Sequence, residues 1–331
     1  MDGGGGGTVT ETGRRPIPGG PEDLAEPVAD IRRRTTQLPR TLDVGVEHKG
    51  ARRQVFDPAL KHFTRAFRPL DADAPDASAW QAARRTALET VLTGVSRSGW
   101  ADSLVLRGSM LMAVWFGQDA REPKDLDFVV VPADWNIEEE RTGTMLAEIA
   151  SAAERAAGER GGPTIDASGA ESEYIWTYDR VPGRRMVLPW RAPGLPGGQV
   201  QLDFVFNERL PREPVRVAVA GTEVQAASPE LSLAWKIQWL LTDGYAQGKD
   251  LYDAALLAER HPLRYELLHE VFRLSGEWPY PQQQEVDFAD LEQAVGYVEW
   301  DHFAADYPQF ADDEQVYARR LLTALEPTFT R

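Results

Sequence analysis

The chain has no cysteine, which excludes disulfides, thiolate metal sites and cysteine nucleophiles. It also has no run near the roughly 20 consecutive apolar residues that a membrane helix requires. The N-terminus, Met1 to Gly7, is polar and glycine-rich. It lacks the basic segment and apolar stretch of a secretory signal, so a cytoplasmic location is expected. Histidine is sparse: the five (His48, His62, His261, His269 and His302) are scattered, without a His-Glu-x-x-His pair. That argues against zinc hydrolysis. There is no Walker-type loop and no nucleophile elbow. Net basic charge is lacking as well, with 36 Lys and Arg against 52 Asp and Glu, a balance of −16. That argues against a simple basic nucleic-acid-binding module. The first hundred residues carry a slight basic excess, so the negative charge is concentrated in the remainder. Any polyanion would have to meet local basic patches and metal ions.

What is present is an ordinary globular composition, 42% apolar and 27% charged over 331 residues. That is long enough for one large domain or two modest ones. Residues 1–50, rich in glycine and proline, are expected to form a disordered or extended tail, with a short helix at Ile31–Arg34 as an option. Phe56, Leu60, Phe63 and Phe67 recur at helical spacing up to Pro69. A further helix starts at Asp76 or Ser78 and runs to Val95. Ser103–Arg107 reads as a strand, Met110–Phe116 as a helix and Leu126–Val131 as a second strand. Thr142–Ala157 reads as an amphipathic helix closed by Gly158. Strand-like segments follow at Tyr174–Tyr178, Met186–Trp190, Val200–Phe206 and Val215–Val219. Ser228-Pro229-Glu230 is a strong helix start. Beyond it the chain reads helical at Leu231–Leu241, Lys249–Glu259, Tyr265–Leu274, Phe288–Val298 and Glu314–Leu325. The expected fold class is α/β (α+β): a mixed sheet flanked by helices over 51–227, then a helical domain over 228–331.

The chemistry is concentrated in Lys124-Asp125-Leu126-Asp127-Phe128. Residues i and i+2 of a strand face the same way, so Asp125 and Asp127 share a side while Leu126 and Phe128 point into the core. Two such carboxylates repel unless a cation lies between them, and Mg²⁺ or Mn²⁺ is the usual solution. A solvated strand end is the bland alternative. Ahead of the pair, Gly108-Ser109 stands at a strand-to-helix turn, where glycine permits close approach of a ligand to the backbone. Asp203 is the single charge in the apolar run Gln199–Phe206. It either forms a buried ion pair or completes a carboxylate cluster with Asp125 and Asp127 on a triphosphate.

As a set, Gly108-Ser109, Asp125, Asp127 and Asp203 resemble the polymerase-β-like nucleotidyltransferase superfamily. The likeness is sharpest to the AbiEii-type toxins and their MenT-like branch. Leu104-Val-Leu-Arg-Gly-Ser109 is similar to that family's strand and turn, with Gly-Ser where two glycines are commoner. Arg121 and Lys124 before Asp125 resemble its basic run, with Pro123 in place of Ser or Thr. Glu230–Lys236 resembles its lysine-bearing helix, and Lys249-Asp250-Leu251-Tyr252-Asp253 its Arg/Lys-Asp-hydrophobic-x-Asp motif. The resemblance covers about residues 80–260.

It implies a metal-dependent transfer of NMP from an NTP to a hydroxyl, with an RNA 3′ end, tRNA first, as acceptor and an antitoxin as partner. Asp125, Asp127 and Asp203 would hold Mg²⁺; Lys236 and Asp250 would join them in catalysis. Arg107, Gly108, Ser109, Arg121, Lys124, Lys236 and Asp253 would bind the nucleotide. Spacing alone leaves open whether Asp250 or Asp253 orients Lys236, and whether Lys236 snorkels to water from its apolar helix. A surface Lys249–Asp253 pair at i,i+4 is a further option. Pro193–Gly198 either widens the acceptor side or is a hairpin loop. Trp278, Tyr280, Tyr297, Trp300 and Tyr307 are expected to pack rather than stack on bases. Arg52, Arg53, Lys61, Arg65, Arg68, Arg84 and Arg85 precede the catalytic unit, and Lys61, Arg65 and Arg68 form one helical stripe suited to phosphates. A small hydroxylated acceptor and glycosyl transfer are the alternative readings, and a dead nucleotidyltransferase fold the non-enzymatic one.

Overall fold

In the computed structural model, residues 76–178, 181–280 and 282–330 are described, with side chains 176–178 excepted. The expected tail, the options at Ile31–Arg34 and Phe56–Phe67, Arg52, Arg53 and the Lys61/Arg65/Arg68 stripe lie outside the described residues. All described residues belong to one unit.

The first described helix, α1 (Ala77–Ser96), buries Trp80, Leu88, Val91, Leu92 and Val95. Asp76 precedes it but makes no side-chain capping bond, so packing rather than a cap defines this start. A one-turn 3₁₀ segment at Ala101–Ser103 delays β1 to Leu104–Arg107. Then come α2 (Ser109–Phe116), β2 (Leu126–Val130) and α3 (Glu140–Arg160). Helix α3 runs past Gly158 and ends at Gly161, because an isolated helical glycine is tolerated. It packs closely on α1: a Cβ on Gly94 would lie 2.6 Å from the Ala153 backbone. Any larger residue at 94 would push the two helices apart.

The remaining strands are β3 (Thr164–Ile165), β4 (Glu171–Tyr178), β5 (Val181–Arg191), β6 (Gly198–Val205), β7 (Val215–Val219) and β8 (Thr222–Ala226). Among the described residues the strand order is β3-β5-β6-β2-β1-β8-β7, with β4 also paired to β5. The sheet is mixed: β1–β2, β5–β6 and β7–β8 run antiparallel, whereas β2–β6 and β1–β8 are parallel. Its centre is covered on both faces, since Leu126, Phe128, Val129 and Val130 are all buried. Phe128 and Phe204 stack across β2 and β6 at 5.6 Å. Pro193–Gly198 takes the hairpin option: it joins β5 to β6, and Trp80 Nε1 donates to Pro196 O at 3.1 Å.

The last strand ends at Ala226 and helices follow: α4 (Pro229–Thr242), α5 (Gly248–Arg260), α6 (Tyr265–Ser275), α7 (Phe288–Ala294), α8 (Trp300–Asp306) and α9 (Glu314–Phe329). Ser228 caps α4 as expected, its hydroxyl accepting from Leu231 N at 3.2 Å. Helix α8 has no counterpart in the sequence reading. It is a short element whose Trp300 and Phe303 are buried beside Tyr252 and Tyr317. Trp278 stacks on Phe272 at 5.5 Å, so it packs, whereas Tyr280 and Tyr297 stand exposed. No helix among the described residues is long and apolar enough to cross a membrane.

Candidate active site

Strand register brings the charged residues together. Arg107 on β1 faces Asp127 on β2, Asp127 faces Asp203 on β6, and Asp203 faces Arg185 on β5. Register partners project to the same side of a sheet. The row therefore reads plus, minus, minus, plus across four adjacent strands. Asp125, two residues ahead of Asp127, lies on that side too.

Each member is held by its surroundings. Gly108 has φ +81°, and a Cβ there would lie 2.5 Å from Asp127 Oδ2. Only glycine satisfies both the backbone and that close carboxylate. Ser109 is buried, and its Oγ donates to Asp125 Oδ1 at 3.3 Å. Arg185 clasps Asp203 with two bonds, Nε to Oδ1 and Nη2 to Oδ2, both 2.6 Å. Gln201 Nε2 adds a third to Oδ2 at 3.1 Å. Burial, then the carboxylates of Asp125 and Asp203, push Asp127 up to about 7, against the opposing pull of Arg107 and Lys249. Close negative charges in a partly dry site disfavour ionisation.

Both options raised for Asp203 meet here, since it is ion-paired and also borders Asp127. Its oxygens are turned to Arg185. Among the described residues no three acidic or histidine side chains are gathered closely enough to enclose a metal ion. The donor set still suits Mg²⁺, which binds through one or two carboxylates, its own waters and substrate phosphates rather than a full protein cage. Asp125 and Asp127 fit that mode, and the raised Asp127 carboxyl is the kind of strain a cation relieves.

A second charged cluster ties the helical half to the loop before Asp125. Arg121 Nε and Nη2 donate to the Asp253 carboxylate at 3.0 to 3.1 Å. Lys236 Nζ donates to Asp250 Oδ1 at 2.6 Å and pairs with Asp253 Oδ2 at 3.1 Å. Asp253 is fully buried, and Lys236 and Asp250 nearly so. Burial works to lower Lys236, yet Asp250 and Asp253 outweigh it and hold the ammonium above its ordinary value. Lys236 therefore does not snorkel, and both aspartates hold it. The surface Lys249–Asp253 pair is not formed: Asp253 is spent on Arg121 and Lys236. Lys249 instead stands exposed, within electrostatic reach of Asp127.

Two further cations arrive already paired. Arg107 Nη1 donates to Glu208 Oε2 at 2.7 Å, and its guanidinium lies over Trp235 and Trp239 at 5.2 and 5.3 Å. Lys124 Nζ donates to Asp306 Oδ2 at 2.5 Å. Arg84, on α1, donates to Pro123 O at 2.8 Å and buttresses the same loop. Arg185, Glu208, Asp306 and Lys249 are absent from the set expected at the site. Only Lys249 carried a local signal, as the first residue of the Lys-Asp-x-x-Asp motif. The others depend on register or on contacts between residues about a hundred or more positions apart.

A mixed sheet carrying a Gly-Ser turn and an Asp-x-Asp strand at its centre, backed by a helical half, is the build of a nucleotidyltransferase. The chain belongs to the AbiEii nucleotidyl transferase toxin family of type IV toxin–antitoxin systems, which it matches over residues 90–327. That match extends well past residue 260, where the motif resemblance stops. Among solved structures the chain is similar to JHP933 from Helicobacter pylori. The identity is 15%, the alignment covers 76% of this chain and 92% of that one, and the TM-score is 0.45. It is also similar to an antigenic nucleotidyltransferase-like protein from Paracoccidioides brasiliensis, at 15% identity over 66% and 94% of the two chains with a TM-score of 0.35. No curated protein sequence matches.

Proposed function

We propose that the protein uses Mg²⁺ to transfer NMP from an NTP to the 3′-hydroxyl of an RNA, tRNA first. The observation that carries the metal-dependent reading is the Asp125–Asp127 pair at the Gly108-Ser109 turn, with the Asp127 carboxyl raised to about 7. The acceptor oxygen bonds to the α-phosphorus, the bond to the bridging oxygen breaks, and pyrophosphate leaves. A bound Mg²⁺ would supply charge neutralisation for the phosphates. Asp125 and Asp127 would hold it. Asp203 Oδ1, which takes one bond from Arg185, keeps a lone pair for the hydroxyl proton. Lys249 is the exposed cation available to the triphosphate, and the Lys236–Asp250–Asp253–Arg121 cluster fixes the loop that delivers Asp125. The antitoxin is the partner that membership in a toxin–antitoxin family implies.

The test is incubation of the full chain with each labelled NTP and total RNA, with Mg²⁺ or with EDTA. A parallel arm offers an aminoglycoside-like hydroxyl compound. Label is expected in RNA of tRNA size, and EDTA abolishes it. Label entering only the small compound would overturn the RNA acceptor, and turnover in excess EDTA would overturn the metal.

Proton competition at Asp127 gives a pH signature. Below about 7 the folded carboxyl is protonated and a cation must displace that proton. The Mg²⁺ concentration for half-maximal transfer should therefore fall with rising pH, by up to about tenfold per unit, and level off above 7. A flat dependence from pH 5.5 to 7 would remove Asp127 from the metal site.

A further inference from the structure

Gln201 is a polar side chain that the fold buries without fully satisfying it. It lies on β6 at 4% exposure, two residues ahead of Asp203 and therefore on the same side of the sheet. Leu126 pairs with Leu202, so the residues one ahead of each, Asp125 and Gln201, are neighbours across the β2–β6 edge. The amide is thereby set among the carboxylates of the site. Its Nε2 donates to Asp203 Oδ2 at 3.1 Å. Its Oε1 is enclosed and has no donor among the described residues. Turning the amide over would set Oε1 against a carboxylate that only accepts, so this orientation is fixed.

Stability does not explain this residue. One bond to a charged group is offset by one acceptor buried without a partner, and an apolar side chain of similar length would need neither. Unsatisfied buried groups are few in native proteins, and a functional demand is one reason to keep one. What Nε2 does to Asp203 supplies that demand. Each oxygen of a carboxylate has two lone-pair positions. Oδ2 receives Arg185 Nη2 and Gln201 Nε2, which fills both. Oδ1 receives Arg185 Nε alone. The Asp203 side chain remains 11% exposed, so a substrate hydroxyl can reach it, and one lone pair on one defined oxygen is left to receive it.

We infer that Gln201 is a positioning residue for the transfer: by filling Asp203 Oδ2 it confines the acceptor hydroxyl to Oδ1. The inference rests on the proposed reaction and adds to it a residue absent from the set expected at the site. Arg185 fixes the plane of the Asp203 carboxylate with its two bonds, and Gln201 chooses between the two oxygens. The hydroxyl proton then passes to Oδ1 as the hydroxyl oxygen bonds to the α-phosphorus and pyrophosphate leaves. Without Gln201, Oδ2 offers a second open lone pair, and a hydroxyl bound there sits a carboxylate's width from the productive place. Misplacement on that scale costs about a hundredfold in rate.

The experiment compares the unaltered full chain with Gln201→Met in single-turnover transfer at saturating NTP and Mg²⁺. The rate should fall by about 10- to 100-fold, with the Kd for NTP unchanged. The melting temperature should stay equal or rise, because the unpartnered acceptor is gone. A larger solvent deuterium effect on the rate should accompany the loss, since the proton leaves a hydroxyl that is less well placed. Gln201→Leu, also without a donor, repeats the measurement with different packing. An unchanged rate in both variants overturns the inference. So does a rate loss accompanied by a lowered melting temperature in both, which makes Gln201 a structural residue. Recovery of the rate in excess Mg²⁺ also overturns it, by placing the role of Gln201 at the metal. Absence of transfer by the unaltered chain overturns the nucleotidyl-transfer reading itself, and this inference with it.

Discussion

Asp127→Asn should lower transfer by several orders of magnitude and, without metal, raise the melting temperature. The two effects share one cause. Ionised Asp127 is opposed by its burial and by Asp125 and Asp203, which place its carboxyl at about 7 rather than near 3.8. A folded value above the unfolded one means that the native state holds the extra proton. Its contribution to stability is full below about 3.8 and is lost as pH rises to about 7. Asparagine removes the charge and so escapes that loss. The gain in melting temperature over the unaltered chain should grow between pH 4 and 7 and then level off. Saturating Mg²⁺ should shrink the gain by stabilising the unaltered chain alone.

Activity responds in the opposite direction, because the amide is a poorer cation ligand and carries no charge. Asp125→Asn should lose transfer similarly. Asp203→Asn should behave differently: it removes the carboxylate that accepts two short bonds from the Arg185 guanidinium. Loss of stability is expected there together with loss of rate. The measurements are kcat from single-turnover transfer and thermal unfolding across pH. Normal turnover in Asp127→Asn would sink the metal-site reading. Unchanged stability at pH 8 would show that the carboxylate row is not strained.

The elements that could be read from the sequence were those with a local pattern. Helix α4 announced itself through Ser228-Pro229 and a run of apolar residues, and β2 and β6 through buried β-branched and aromatic residues. Strand β8 escaped because Thr222–Ala226 is short, mixed in character and stabilised by pairing with β1 and β7, neither of which is visible locally. At the site, Asp125 and Asp127 were legible because i and i+2 on a strand is a local relation. The adjacency of Asp203 required the parallel β2–β6 register, and that of Arg185 the β5–β6 hairpin. Lys236 shows the limit of helix-face reasoning. Its apolar neighbours left snorkelling open beside pairing with Asp250 or Asp253, and the structure gives it both aspartates, from α5 across the next loop. Segregating charge into a buried cluster is a property of tertiary packing and cannot be seen in one helix.

That cluster sets the second large expectation. Asp253→Asn should destabilise the protein by about 3–5 kcal/mol, the usual cost of leaving buried charge without its counterion. Arg121 and Lys236 supply two positive charges and Asp250 and Asp253 two negative, so the four are balanced. With Asp253 neutral, Asp250 alone must serve both cations, and Arg121 loses its one carboxylate in this cluster. Lys236→Met should be costly for the converse reason, because it removes the ammonium that Asp250 and Asp253 share. Adding Asp250→Asn to Lys236→Met restores balance, with Arg121 and Asp253 still paired, and should recover part of the loss. The non-additivity in that double-mutant cycle measures the coupling directly. Urea unfolding gives the energies. A nucleotide Kd, taken where the variants remain folded, shows whether the Arg121 loop also sets the presentation of Asp125. If Lys236→Met proves neutral or stabilising while Asp250→Asn adds nothing, the cluster is not coupled. The helical half would then be held to the sheet by its apolar contacts and by links outside the cluster, such as Lys124–Asp306.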